Sequence, residues 1–158
     1  MTTISPPPPA DLLEVLEGIR EVYVSGLRQH LGHQQTAGSC LYAAILLQTA
    51  VTHWLPHYRA TIRGGDGHRQ GGVFVEGQGH GHYWVEIGSD ASTWIADVSG
   101  DQFGLPPVQL LPASHAKQQY RAGDQSTVDA HVEELRAEMR RAVQEEDAAG
   151  TGIESIAD

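Results

Sequence analysis

The chain has 158 residues, 40% of them hydrophobic, with 20 acidic residues against 10 basic ones and a formal net charge of −10. That length fits one domain with one sizeable core. The acidic balance excludes a general nucleic-acid binder, which needs Lys and Arg against phosphate, and opposes docking on anionic lipid. No run reaches the ~18 apolar residues of a membrane span. The start, MTTISPPPPADLLEV, has neither the basic n-region nor the apolar h-region of a secretory signal. One cysteine leaves no internal disulfide framework and no multi-cysteine zinc site, so a cytoplasmic protein without a cofactor is expected.

Residues 1–9 are expected to be a flexible Pro-rich arm, residues 10–147 the single domain, and residues 148–158 a flexible tail. From Asp11 a helical period appears, with Leu12, Leu16, Ile19, Tyr23, Leu27 and Leu31 on one face. The polar stretch His33-Gln34-Gln35-Thr36-Ala37-Gly38-Ser39 interrupts it. The apolar run that begins at Cys40 predicts a buried helix over 40–55, with Ser39 as N-cap and Pro56 as its stop. Alternation then predicts four strands at 58–63, 73–76, 82–87 and 93–98, joined by Gly-rich turns as an antiparallel meander. LPPVQLLP, 105–112, reads as an edge strand because of its prolines. A last helix is predicted over 129–147, opened by Ser126 or Thr127, with Val132, Leu135, Met139 and Val143 on one face. Helices first and a sheet after predict an α+β class, with one helix packed on an antiparallel sheet and helices flanking it at both ends.

Three residues form a chemical pattern. Cys40 falls at a helix N-terminus, where the dipole and unpaired N–H groups favour a thiolate. His82 starts one strand, and Asp97 lies near the end of the next, so adjacent antiparallel strands can set them side by side. The histidine then takes the thiol proton, and the aspartate fixes its tautomer and orientation. Singly, each has a plain structural reading: a core thiol, a strand histidine with a satisfied ring, a turn residue at a strand end. It is their order that points to catalysis.

The stretches GSCLYAAILL (38–47), HYWVEI (82–87) and WIADVSGDQF (94–103) carry a resemblance. A cysteine at a helix start, then H-x-W-x-E on a strand, then Asp on the next, resembles the transglutaminase-like and papain-like cysteine enzymes, in particular small bacterial members. The resemblance implies a papain-like or transglutaminase-like core and a hydrolase or acyl transferase. Its thioester chemistry, as in a peptidase, deamidase or transglutaminase, would run on a Cys40–His82–Asp97 triad with a protein or peptide as substrate. It also implies an oxyanion-hole glutamine at Gln34, six residues before Cys40, with Gln35 the competing choice. Trp84 and Gln102 are expected to line the site.

His80, two residues before His82, is the rival base, since the two would share a strand face. Two other functions stay open. One is a non-catalytic protein-binding module on the same fold, with Cys40 as packing. The other is a His-rich metal site built from His68, His80 and His82 with Asp66 or Asp97.

Overall fold

The structure, a computed structural model, describes residues 6–31, 39–67 and 71–154. Helix α1 spans Ala10–Leu31 and α2 spans Cys40–Trp54. Strands β1 (Arg59–Gly65), β2 (Gly72–Val75), β3 (Gln78–His80), β4 (His82–Gly88) and β5 (Thr93–Asp97) follow. A 3₁₀ turn at Gly100–Phe103, β6 (Gln109–Pro112), the short α3 (Ala113–Ala116), β7 (Tyr120–Arg121) and α4 (Gln125–Glu154) complete the chain. The class is mixed helix and sheet with antiparallel sheets, as the order of elements predicts. No helix among the described residues is long and apolar enough to cross a membrane.

The two leading helices form for the reasons their sequences give. On α1, Leu12, Leu16, Ile19, Tyr23 and Leu27 are all buried at helical spacing. Fully burying each such side chain is worth about 1.5–3 kcal/mol. Helix α2 is buried along most of its length, from Cys40 to Val51, and Leu55 closes it with an N–H to Val51 O bond of 2.8 Å just before Pro56. Both helices and the first part of α4 cover one face of a four-stranded sheet ordered β1-β4-β5-β6. Ile62, Val85, Ile87, Trp94 and Ala96 supply the sheet's side of that core.

The strands do not form the expected meander. β1 pairs with β4, not with β2, in the register Gly65↔His82 to Arg59↔Gly88. The chain between them folds out as the hairpin β2–β3, which with β7 makes a second, three-stranded sheet. Its tip, Glu76-Gly77, has two consecutive positive φ values, 51° and 78°, as a tight two-residue hairpin turn requires. Alternation identifies these segments as strands, but it carries no information about which strand pairs with which. Residues 78–80, expected in a turn, are β3. A smaller cluster of Val73, Trp84, Ile95, Ala116 and Tyr120 holds the second sheet and α3 against the first sheet's other face. β6 does lie at the sheet edge, paired with β5.

The last helix is longer than expected at both ends. Asp124 caps it instead of Ser126 or Thr127, accepting the Thr127 N–H at 3.0 Å on Oδ2. Both of those hydroxyls donate to the same oxygen. At the other end the helix runs through 148–154, which the sequence suggests is a flexible tail. Val128 and Val132 are buried and Leu135 and Met139 partly so, but Val143 is 58% exposed, because the helix has by then left the body of the protein.

Candidate active site

Three elements bring Cys40, His82 and Asp97 together. Cys40 is the first residue of α2, His82 the first of β4 and Asp97 the last of β5. Antiparallel pairing of β4 with β5 puts the start of one strand beside the end of the next. All three residues are buried.

His82 Nε2 lies 2.8 Å from Asp97 Oδ2. The Cys40 thiol stands within hydrogen-bonding reach of the same ring. With Nε2 committed to the carboxylate, Nδ1 is the nitrogen left for sulfur. Burial alone would push the His82 pKa down; the Asp97 carboxylate, reinforced by Cys40, overcomes it and raises the value to about 9. Burial would likewise push Asp97 up, but the His82 charge and its own hydrogen bonds hold it below the usual carboxylate range. The ring is therefore an imidazolium at neutral pH, beside a sulfur at the start of a helix.

Asp97 is held from every side. Oδ1 accepts the Ser99 backbone N–H at 3.0 Å, and Oδ2 accepts the Tyr120 hydroxyl at 2.8 Å. The Gln109 amide lies 2.6 Å from that hydroxyl. Tyr120 has one proton to give, and the charged carboxylate is the stronger acceptor, so the hydroxyl donates to Asp97 and Gln109 Oε1 stands as its alternative acceptor. Gly100 has no room for a side chain, since a Cβ there would sit 2.8 Å from Asp97 Oδ2. Neither Tyr120 nor Ser99 stands out in the sequence. Tyr120 lies 23 residues from Asp97 on a two-residue strand of the other sheet, with no spacing signal.

Ser39 precedes α2 as expected, but its side chain makes no cap bond. Its Oγ lies 2.5 Å from the Tyr23 hydroxyl instead. The first-turn N–H groups of α2 are thus left uncapped by that side chain beside Cys40.

The other expected residues are placed differently. Gln102 Nε2 is 3.3 Å from His82 Nδ1 and 3.1 Å from Ser99 O. It can donate to Nδ1 only when that nitrogen is unprotonated, so it competes with the thiol for the neutral ring. Trp84 does not line an opening. It is 2% exposed, stacked behind His82 at 6.4 Å between centroids and edge-on to Tyr120 at 5.2 Å. Gln34 and Gln35 lie outside the described residues, as does His68. His80 does not share a strand face with His82. Gly81 separates the two, and His80 belongs to β3, its ring stacked on Phe103 at 4.8 Å. Phe103 in turn meets His82 edge-on at 5.1 Å. Among the described residues no group of three His, Cys, Asp or Glu side chains could hold a metal ion.

Arg20 of α1 clamps the 3₁₀ turn that carries Gln102. Its Nη1 and Nη2 donate to Asp101 Oδ1 and Oδ2 at 2.8 and 2.9 Å, and Nη1 also donates to Val98 O at 2.8 Å. Asp101→Asn should cost about 1–2 kcal/mol, because it breaks a half-buried two-pronged charge pair. Denaturant titration measures this, and a loss below ~0.3 kcal/mol would show that the clamp is idle.

No family model matches this chain, and no curated protein or solved structure is detectably similar to it.

Proposed function

We propose that this protein is a cysteine-dependent amide hydrolase or acyl transferase of the transglutaminase-like and papain-like kind, acting on a protein or peptide through a thioester at Cys40. One observation carries the reading. His82 is bonded through Nε2 to a buried, fully partnered Asp97, while its ring also reaches the only thiol in the chain, at the start of a helix. A core cysteine has no need of a base that is itself oriented by a buried acid.

The steps follow from that geometry. The cycle starts from a thiolate–imidazolium pair, in which the thiol proton already sits on His82 Nδ1 at neutral pH. The Cys40 thiolate attacks the amide carbonyl carbon, and the C=O π pair moves onto oxygen. The Cys40 backbone N–H, in the first turn of α2, donates to that oxyanion. The second donor is an amide side chain; Gln34 and Gln35 are the family's choices and Gln102 is the one beside the ring. Collapse of the adduct breaks the C–N bond, and the Nδ1 proton goes to the leaving amine. Water or an amine, deprotonated by Nδ1, attacks the thioester and frees the thiolate. Asp97 stays ionised throughout and stabilises the imidazolium. A lone nucleophilic thiol suits a reducing compartment such as the cytoplasm.

Alkylation by iodoacetamide tests the reading, because an activated thiolate reacts below pH 7 and a packing thiol is inert. Cys40 should label at pH 6. His82→Ala should slow labelling by about 10²-fold or more, and His80→Ala should leave it nearly unchanged. A thiol silent at pH 6 in the folded protein would favour the binding-module alternative, and sensitivity to His80 alone would reassign the base.

A further inference from the structure

A hollow of about 460 Å³ opens beside the N-terminus of α2. That is the size of a small-ligand site, for which about 300–1,000 Å³ is usual. Its wall includes chain neighbours of the two reacting residues, while Cys40 and His82 themselves do not line it. Ser39 and Leu41 flank Cys40, and Tyr83 follows His82. Leu27 of α1, Tyr42 of α2 and Leu135 of α4 add to the apolar lining. Tyr83 is fixed by a 2.5 Å hydrogen bond between its hydroxyl and His131 Nδ1. Burial raises the Tyr83 hydroxyl above the ordinary tyrosine range, with smaller contributions from Cys40 and Asp66.

Two carboxylates from α4, Glu134 and Glu138, complete the lining. They stand four residues apart on one helix face, where like charges repel. No ion pair or hydrogen bond compensates either of them among the described residues, although Arg136, Arg140 and Arg141 lie on the same helix. An apolar guest would leave that repulsion in place, and an acidic one would increase it. A guest with an alkyl stem and a cationic head meets both halves of the lining, stem on leucine and head on carboxylate.

We propose that this hollow is the subsite for a lysine or arginine side chain of the peptide substrate, its stem on Leu27, Leu41 and Leu135 and its charge between Glu134 and Glu138. The proposal rests on the reading of Cys40 as a nucleophile and names the residue type recognised beside the amide it attacks. The overall charge of −10 steers such a substrate in the same direction.

The probes are peptidyl acyloxymethyl ketones that differ only in carrying lysine or its uncharged isostere norleucine. Labelling of Cys40 is followed by intact mass, and each rate is divided by the iodoacetamide rate of the same protein. The lysine probe should react about five- to tenfold faster than the norleucine probe, as expected for two partly exposed charge contacts. Glu134→Gln with Glu138→Gln should bring that ratio close to one. Glu145→Gln, on the exposed distal part of α4, should keep it. A ratio near one in the parent protein, or one that survives the double substitution, overturns the subsite and leaves the nucleophile reading intact. Failure of iodoacetamide and both ketones to label Cys40 overturns the nucleophile reading and the subsite's place in catalysis together. The hollow is also read without the thiol. In the Cys40→Ala protein, N-acetyl-lysine methylamide should shift the ring signals of Tyr83 and His131 where the norleucine analogue does not; equal or absent shifts overturn the cation subsite.

Discussion

Asp97→Asn should leave the protein folded and slow ketone labelling of Cys40 by about 10³–10⁴-fold, the scale of the corresponding exchange in a serine-protease triad. The reason lies in the donors around the carboxylate. Ser99 N–H is fixed backbone and demands an oxygen at the Oδ1 position. The amide nitrogen of the substituted side chain must then take the Oδ2 position, 2.8 Å from both His82 Nε2 and the Tyr120 hydroxyl. An N–H there turns Nε2 into an acceptor and sends the ring proton to Nδ1, the nitrogen that has to receive the thiol proton. The base is lost through its tautomer, with the ring still in place. Tyr120 can redirect its proton to Gln109, so the fold is kept. Tyr120→Phe removes one donor without changing the tautomer and should cost less than about tenfold. An Asp97→Asn protein that labels at the parent rate would show that the acid does not orient the base.

Asp97→Ala should instead destabilise the fold by about 3–5 kcal/mol near pH 6, because it leaves a buried histidine without its counter-charge. The loss should depend on pH in a defined direction. His82 has a folded pKa of about 9, raised from an ordinary value of 6.5. Its contribution is fully present below the unfolded value and is lost as pH rises through the folded one. Asp97 is lowered from an ordinary 3.8, so its contribution is present above that value and lost as pH falls through the folded one. The pair therefore stabilises the parent most between about pH 4 and 6.5, and its advantage over Asp97→Ala should shrink between about pH 6.5 and 9. Denaturant titrations of both proteins at pH 5.5, 7.5 and 9.5 would check this (roughly evenly spaced across the window). A gap that stays constant over that range would mean His82 is neutral in the folded protein.

Much of the site could be read along the chain because each of its residues sits at the end of an element the sequence announces. Cys40 opens an apolar run that Pro56 closes, and His82 and Asp97 bound two neighbouring strands. Strand ends meet wherever an antiparallel pair forms, so order alone placed the histidine beside the acid. The same logic failed for His80. Counting by twos put it on the face of His82, but Gly81 broke the strand and the chain crossed into another sheet. Ser39 was found as the residue before the helix, while its hydroxyl went to Tyr23, a partner 16 residues away on α1.

What the sequence by itself determined is what depends on local periodicity. That includes the buried face of α1, the length of α2, the strand character of β1, β4 and β5, the α+β class and the order of thiol, imidazole and carboxylate. What only the tertiary structure decided is what depends on pairing across distance. Alternation fixes which side of a strand is buried and leaves its partner open, so the division into two sheets was invisible. The Tyr120 hydroxyl on Asp97, the Arg20 clamp on Asp101 and the hollow roofed by Glu134 and Glu138 join segments 23 to more than 90 residues apart. Their spacing follows no period, because they meet only after α1, α4 and the second sheet have packed against the first, and the free energy of that packing belongs to the whole core.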